Sequence, residues 1–374
     1  MIRKLLIIII FKISLLGSQP LQHRILIATS SDGINFQKLN TIFCDSADVP
    51  DAVIGSDGAV YVYYQGLITP WIDGIKVAIS NNGIDNWQHY QVQIPNTNWP
   101  GKPCDPDVVM FGDTFRLYFT ADSINDGHPE TYSAISLDGI NFIRESGVRF
   151  EISGQSVLDP SLLWTNDTLQ YFAGGCQGGY NWHAQSIDGL NFWQLPNFNV
   201  NNLMMANGIC LVSGGYRFYC FSNNYTNRNI YSIFSSNGNN WTLESGCRLT
   251  YDSTNYLEYL YVKDPAIVYK DSIYLMYYVT RKRPTDIEEI SRLKINGARE
   301  SVLYFVSNLL TFTCDGEFSV KIFDAMGKLR QYLLGRDLVV WDGKDNNNQN
   351  LSNGIYFGLV ENKKIMYKYK FVKQ

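Results

Sequence analysis

Histidine is scarce in this chain: four residues in 374, with no Cys-x-x-Cys or His-x-x-x-His spacing, so a zinc site of the usual ligand pattern is excluded. Cysteine is sparse and odd in number. The seven thiols (44, 104, 176, 210, 220, 247, 314) cannot all pair. Cys210 and Cys220 flank a hairpin turn and are the pair expected to face each other; most others read as isolated buried thiols. Charge of one sign is also missing. A net charge of −4 argues against nucleic acid or an anionic membrane as partner, and the one basic cluster, Arg281-Lys282-Arg283, reads as solvated linker. Long apolar runs are absent too. Leu5 to Leu16, after Arg3 and Lys4 and before Gly17-Ser18, is shorter than the ~20 residues that span a bilayer. It has the order of a secretory signal, so residues 1–18 are expected to direct export and to be removed.

What is present is repetition. Ser-x-Asp/Asn-Gly, followed shortly by Phe or Trp, occurs as SSDGINF (30–36), SNNGIDNW (80–87), SLDGINF (136–142), SIDGLNF (186–192) and SSNGNNW (235–241). The steps from Gly33 to Gly83, Gly139, Gly189 and Gly238 are 50, 56, 50 and 49 residues. A second series runs out of phase: apolar strand pairs around tight polar turns at 51–66, 107–121, 159–175, 207–223 and 264–280. Strand-built repeats of this length predict a β-propeller, here of five blades over residues 19–280. The hairpins supply strands one and two of each blade, and the Ser-x-Asp-Gly turns join strands three and four. The N-terminal unit, Ile25 to Leu39, is expected to complete the blade begun by the last hairpin.

Composition shifts after Thr280. Residues 281–300 carry Pro and mixed charge without strand period and read as a linker. Residues 301–374 hold short strands between Gly/Asn turns, so the fold class is all-β, a five-bladed propeller followed by a small immunoglobulin-like β-sandwich. The Asp345-Asn-Asn-Asn-Gln-Asn run lacks alternating carboxylates and reads as a turn rather than a calcium loop. VKIFDAMGK, Trp341-Asp342-Gly343-Lys344-Asp345, Ser352-x-Gly354-Ile355-Tyr356 and the terminal KFVKQ resemble the C-terminal sorting domain of type IX secretion, itself similar to the module of flagellar hook-capping proteins. That resemblance covers about 318–374, lacks the usual Asn-Pro pair at the start, and implies the type IX machinery as partner and export across a bacterial outer membrane.

Function is expected on the rim with the longer connections: 65–74, 120–131, 174–181 and 222–229 within blades, and 41–50, 94–106, 144–158, 195–206 and 245–263 between them. Inner strands open there with Asp48 and Asp51, Asp105 and Asp107, Asp159, Asn207 and Asp264. Carboxylates gathered toward one axis repel, which raises some pKa values and leaves others ionised; a glycosidic bond needs such an acid and base. Asp-Pro at 105, 159 and 264 also suits a purely structural role, as an Asx-turn with a fixed φ. Trp71, Trp99, Tyr180 and Trp182 suit stacking on sugar faces, and His128, Glu130, His183 and Glu258 complete the candidates.

Over about 24–280 the pattern resembles furanosidase-type propeller enzymes, glycoside hydrolase families 43 and 32. The resemblance implies Asp51 (or Asp48) as base and Asp105 as the residue tuning the acid. The family's third-blade Glu is replaced by Asp159, one methylene shorter, so Glu130 or Glu258 is the expected substitute acid. Sialidases are excluded, because their turn separates Asp from Gly and no arginine trio is present. The expectation is an exported glycosidase acting on arabinose-, xylose- or fructose-containing glycans, with a non-catalytic carbohydrate-binding or surface-interaction propeller as the alternative. The partner is extracellular polysaccharide or oligosaccharide and the protein a monomer. No cofactor is expected, and the sequence is silent on a structural calcium in the central channel.

Overall fold

The structure, a computed structural model, describes residues 23–68, 71–97, 99, 102–222, 229–282, 303–306, 309–352, 354–361 and 366–373. The signal segment and nearly all of the 281–300 linker lie outside them. The chain divides into two compact units on either side of Arg281. Among the described residues no helix is long and apolar enough to cross a membrane.

The first unit consists of four-stranded antiparallel sheets. Sheet 1 holds β3 (Ala47–Ile54), β4 (Val60–Ile68), β5 (Trp71–Ser80) and β6 (Gln88–Gln91). Sheet 2 holds β7 (Cys104–Phe111), β8 (Thr114–Ala121), β9 (Glu130–Ser136) and β10 (Ile143–Arg144). Sheet 3 holds β11 (Leu158–Thr165), β12 (Thr168–Gly174), β13 (Trp182–Ser186) and β14 (Trp193–Gln194). Sheet 4 holds β15 (Leu203–Cys210), β16 (Tyr216–Ser222), β17 (Ile230–Ser235) and β18 (Thr242–Leu243). The closing sheet takes β19 (Val262–Lys270) and β20 (Ile273–Arg281) from the end of the unit, and β1 (His23–Ser30) and β2 (Gln37–Asp45) from its start. The closure is continuous: β1 pairs with β20 from His23↔Arg281 to Ser30↔Tyr274. The first strands neighbour one another in cyclic order, β3, β7, β11, β15, β19 and back to β3, which makes the unit propeller-like.

Apolar side chains pack between successive sheets in separate clusters, such as Val62, Tyr64, Val268 and Tyr277 between the closing sheet and sheet 1, and Tyr63, Val77, Leu117 and Phe119 between sheets 1 and 2. Polar interlocks join the same sheets. In each Ser-x-Asp-Gly turn the Ser and Asp side chains bind the local backbone; in the first, Gly33 N donates to Ser30 Oγ (3.0 Å), and Ile34 N and Asn35 N donate to Asp32 Oδ1 (2.8 Å each). The Gly takes a left-handed φ of 70–78° in all five copies and its carbonyl faces the neighbouring sheet. There a tyrosine donates to it: Tyr63 to Gly139, Tyr118 to Gly189, Tyr219 to Gly33 and Tyr277 to Gly83, at 2.7–2.8 Å. Sheet 3 carries Phe172 at the tyrosine's register position, and Asn166 Nδ2 donates to Asn237 O (3.2 Å) instead. The turns thus have a structural role away from the candidate site, fastening one sheet to the next.

Two connections differ from the expectation. Segment 41–50 is not a loop, because β2 runs to Asp45 and β3 starts at Ala47 with only Ser46 between; segment 65–74 pairs as far as Ile68↔Trp71. Both edges extend because Ile42 and Leu67 continue the ladder where a polar turn was read. Cys210 stands opposite Tyr216, and Cys220 opposite Met205, so the proposed cross-hairpin pair does not form. Cys44, Cys104, Cys176, Cys210, Cys220 and Cys247 form no disulfide: Cys220 is buried, Cys210 exposed and the other four half-buried.

The described strands of the second unit, β21 (Leu303–Val306), β22 (Leu309–Asp324), β23 (Leu329–Trp341), β24 (Gly354–Glu361) and β25 (Met366–Lys373), form one sheet. Phe312, Val320, Ile322, Trp341, Tyr356 and Val360 make its core. The Trp341 indole donates to Lys344 O (2.7 Å) and the Tyr356 hydroxyl to Ser352 O (2.8 Å), so the motif's aromatic residues tie down its own loops. Asp345 Oδ1 accepts from Asn347 N and Gln349 N (2.9 Å each), closing the Asn-rich run as a turn.

If the tyrosine interlocks hold the sheets together, Tyr118→Phe lowers unfolding stability by about 1 kcal/mol. Gly139→Ala costs more, since its Cβ would lie 2.8 Å from the Tyr63 hydroxyl at a φ of 71°. Urea melts of the three proteins rank these losses; equal midpoints would show that the turns are decorative.

Candidate active site

Four of the five inner strands carry a side chain that binds the backbone of the next. Asp51 stands opposite Tyr63, Asp107 opposite Tyr118, Ser161 opposite Phe172, Asn207 opposite Tyr219 and Ala266 opposite Tyr277, all at one level. Asp51 Oδ2 accepts from Val108 N (2.6 Å), Asp107 Oδ2 from Leu162 N (3.1 Å) and Asn207 Oδ1 from Ile267 N (2.9 Å), while Ser161 Oγ donates to Ala206 O (2.5 Å). Asp51 Oδ1 also accepts from Asn207 Nδ2 across the axis. At 2% exposure, with both oxygens engaged, Asp51 is an interlock and not a base open to a sugar, which corrects the expectation drawn from resemblance. Burial pushes the Asp51 carboxyl up to about 7 against the pull of the Val108 and Ala52 N–H groups. Burial, then the charge of Asp51, pushes Asp107 well above the usual range.

One step toward the mouth of the axis the strands bulge. Register shifts fall at Asp48/Asp51, Cys104/Asp107, Leu158/Ser161 and Lys263/Ala266. The inserted residues are Val49, Asp105, Asp159 and Asp264, each followed by Pro and each at a left-handed φ of 43–50°. A non-glycine residue before proline avoids that region, so four strained residues are gathered at one place, a feature associated with functional sites. Sheet 4 has a shorter bulge, Met205-Ala206-Asn207, without proline or carboxylate.

These bulges assemble the candidate site. Asp48 Oδ1 accepts from Lys263 Nζ (3.0 Å) and Val49 N (3.1 Å), its Oδ2 lies 2.5 Å from His23 Nδ1, and His23 Nε2 lies 2.6 Å from the Tyr261 hydroxyl. Lys263 Nζ also pairs with Asp264 Oδ2. Cys104 Sγ donates to Asp105 Oδ2 (3.6 Å), and Asp159 N donates to Thr120 Oγ1 (3.2 Å). Burial by itself would raise Asp48, but Lys263 and His23 outweigh it and hold the carboxyl well below the usual range. Burial raises Asp105 to about 6, aided by the charge of Asp48 and opposed by Thr120 and Cys104. Asp159 is pushed well above the carboxylate range by burial, then by Asp105 and Asp264. Asp264 is raised by burial with Lys263 opposing. The cluster therefore holds one carboxylate kept ionised by its cationic neighbour beside carboxyls whose proton affinity burial raises, the division an acid and a base require.

Other candidates lie elsewhere. Glu258 is fully buried; its Oε2 accepts from Lys38 Nζ (2.7 Å) and Asp252 N (3.0 Å), and its Oε1 from Tyr278 (2.8 Å). Those bonds make it a packing ion pair rather than a substitute acid. Glu130 stands at the start of β9, accepts from Tyr132 (3.2 Å), and is raised by burial and by Asp126, Asp122 and Glu151. It belongs to a separate acidic group on the rim. His128 sits in that loop, its N–H donating to Asp126 Oδ1 (2.9 Å). His183 stacks on Phe172 (4.6 Å between centroids, 6° between planes), and burial drives its pKa down to about 4, so it is a core ring and not a sugar contact. Trp182 is likewise core, its indole donating to Ser156 O (3.0 Å). Trp99 packs at 4.6 Å on Tyr132, Tyr180 is exposed, and the Trp71 side chain lies outside the described residues. Among the described residues no group of His, Cys, Asp and Glu has the arrangement of a metal site. A groove of about 550 Å³ lies at Phe36, Lys38, Arg248, Tyr251 and Asp252, but its lysine is already bound to Glu258 and Thr250 O, and no acid and base meet there.

Two consequences can be measured. Asp51→Ala strands two buried donors, Val108 N–H and the Asn207 amide, at a cost of about 1–3 kcal/mol each, read as a fall in the urea midpoint. Asp51 also binds a proton when folded that the unfolded chain releases near pH 4, so its contribution is present below about pH 4 and lost as pH rises through about 7; Asp107, raised likewise, acts in the same direction. Asp51→Asn is therefore expected to flatten the decline in stability between about pH 4 and 7; a midpoint that falls as steeply in the variant contradicts this assignment.

No protein-family description and no curated protein matches the sequence. Solved structures do. A thermostable family-43 glycoside hydrolase superposes with a TM-score of 0.51 at 16% identity, over 71% of this chain and 92% of that one. A GH43 β-xylosidase/α-arabinofuranosidase from a compost microbial metagenome gives a TM-score of 0.46 at 17% identity, covering 62% and 84% of the two chains. A Bombyx mori GH32 β-fructofuranosidase gives 0.44 at 13%, covering 87% and 79%. The first of these likenesses shows that the propeller-like fold of the family-43 enzyme is shared.

Proposed function

We infer that the chain is an exported five-bladed propeller that hydrolyses glycosidic bonds at the Asp48–Asp105–Asp159–Asp264 cluster. The observation that carries this is the unequal setting of the carboxyls: Lys263 and His23 bond Asp48 and hold its pKa low, while burial and the neighbouring Asp105 and Asp264 favour a proton on Asp159. Asp159 donates that proton to the leaving glycosidic oxygen as the C–O bond breaks. Asp48 takes a proton from the water that adds to the anomeric carbon, and the substrate leaves as two sugars with free hydroxyls. The cyclic order of the first strands supports the blade count. The family-43 likeness, with the sequence resemblance to furanosidase-type propellers, supports an arabinose-, xylose- or fructose-containing glycan as substrate. In the second unit, β22 exchanges β21 for β24 along one edge across a bulge at Cys314/Glu317, which supports an immunoglobulin-like module acting as a type IX sorting domain. Secretion through the outer membrane follows from that reading and from the N-terminal segment.

A second reading has its own support. Val49 fills the bulge position in sheet 1 where sheets 2, 3 and closing carry Asp, and among the described residues no Glu reaches the cluster, which favours a carbohydrate-binding propeller without turnover.

A panel of aryl α-L-arabinofuranosides, β-xylosides and fructans tests the two. Hydrolysis is expected, with Asp159→Asn and Asp48→Asn each lowering kcat by about 10²–10⁴. The rate of the unmodified protein should fall on the alkaline side as Asp159 loses its proton. Absence of turnover on every substrate, with retained binding to one glycan, would establish the second reading instead.

A further inference from the structure

Three residues outside the recognised pattern converge on Asp48, and all belong to the closing sheet or its approach. His23 opens β1, Lys263 lies in β19, and Tyr261 immediately precedes β19. His23 and Tyr261 are 6% and 5% exposed, so their contacts with each other and with Asp48 are shielded from water. The backbone that delivers Tyr261 is strained. Leu260 has a φ of 68°, and Tyr261 N donates to Tyr259 O (2.9 Å), a γ-turn of the rare left-handed kind. A bulky residue occupies that conformation only where surrounding contacts enforce it. Here Tyr259 N donates to Thr280 Oγ1 (3.2 Å) and Thr280 Oγ1 donates to Tyr261 O (2.7 Å), pinning both sides of the turn to β20. The turn sets the Tyr261 hydroxyl against His23 Nε2, which leaves Nδ1 to face Asp48.

We propose that Lys263 and the Tyr261–His23 pair are positioning residues that fix the Asp48 carboxylate in one orientation, with one acceptor position of Oδ2 left unfilled. The inference rests on the hydrolase reading for what Asp48 then does, but the positioning is measurable without turnover. Oδ1 is filled by Lys263 Nζ and Val49 N, and Oδ2 has a single donor, so one lone pair remains for water or a sugar hydroxyl. The Tyr261 hydroxyl and the Asp48 carboxylate thus engage the two ring nitrogens of His23 and fix the orientation of the imidazole between them. The groups facing Asp48 are His23 from β1, Tyr261 from the approach, Lys263 and Asp264 from β19, Asp105 from β7 and Asp159 from β11. Lys263 is the one cation among those carboxyls, and it comes from the sheet that the two ends of the unit build together.

The test is a pH titration of the Asp48 side-chain carbonyl by NMR in the full chain labelled at aspartate Cγ, assigned with Asp48→Asn. Lys263→Met is expected to move the Asp48 transition upward by about one pH unit or more, because burial then acts unopposed. His23→Ala should move it in the same direction, and His23→Gln, whose amide can still donate to Oδ2, should restore most of the shift. Tyr261→Phe removes one hydroxyl while keeping the packed ring, so it retains the fold and should still disturb the Asp48 signal through His23. An Asp48 transition unmoved in Lys263→Met and Tyr261→Phe would overturn the proposal, even if both variants lose hydrolysis. Transitions that move as expected in a protein without turnover would leave the positioning intact and remove the hydrolase reading alone.

Discussion

Side-chain bonds to backbone groups of the neighbouring sheet are the interaction on which this structure depends. Within each four-stranded sheet the ladder satisfies nearly every peptide group, but between sheets there is no ladder to join them. The apolar clusters supply most of the attraction without direction, since burial is proportional to area and indifferent to register. Register comes from the polar bonds. At the inner level Asp51, Asp107, Ser161 and Asn207 each reach the next strand. Farther out, four tyrosines reach the glycine carbonyl of a neighbouring turn. Each set tolerates an exception: Ala266 replaces the polar residue in the closing sheet, and Phe172 replaces the tyrosine in sheet 3. The exceptions fall on different sheets, so no junction loses both of its links.

The same interlocks decide which carboxylates are free for chemistry. Asp51 and Asp48 are three residues apart on one strand, and the bulge at Val49-Pro50 sends them to different fates. One is folded into the junction with both oxygens filled; the other stands at the opening under a lysine and a histidine. Asp107 and Asp105 are divided in the same way in sheet 2. A family of burial-shifted carboxyls therefore has two physical origins here, and only the set beyond the bulge lies outside the interlocks between sheets. A raised pKa alone would not have separated them.

The repeat was legible because the turn chemistry is local. Ser-x-Asp-Gly needs a left-handed glycine and short-range side-chain bonds, and those requirements leave the same residues at every turn. The strand pairs were legible for the same reason, through alternation and β-branched and aromatic content. The site was half legible. Asp105, Asp159 and Asp264 show themselves as Asp-Pro in the sequence, but their left-handed φ does not, since Pro favours extended geometry before it. His23, Tyr261 and Lys263 were missed altogether, being 25, 213 and 215 residues from Asp48. Lys263 had one available signal: Lys-Asp-Pro stands where sheet 2 has Cys-Asp-Pro, a charged residue in a half-buried register. Trp182 and His183 are not told apart from sugar contacts in the sequence, because aromatic and imidazole rings near a rim look the same whether they face outward or inward; here Trp182 is buried between sheets and His183 is half-buried against Phe172 and Phe198.

Closing the ring with strands from both ends of the unit has a consequence for the site beyond stability. β1 contributes His23, β19 contributes Lys263, and both bind Asp48 of sheet 1, so the ionised carboxylate is assembled only when the two ends have paired. A chain with β1 unpaired would keep Asp105 and Asp159 but would leave Asp48 in a buried setting without the histidine. Burial then favours its protonated form, and the division between acid and base weakens. The link that prevents an open sheet edge also sets the charge at the centre, so fold completion and site completion are one event in this unit.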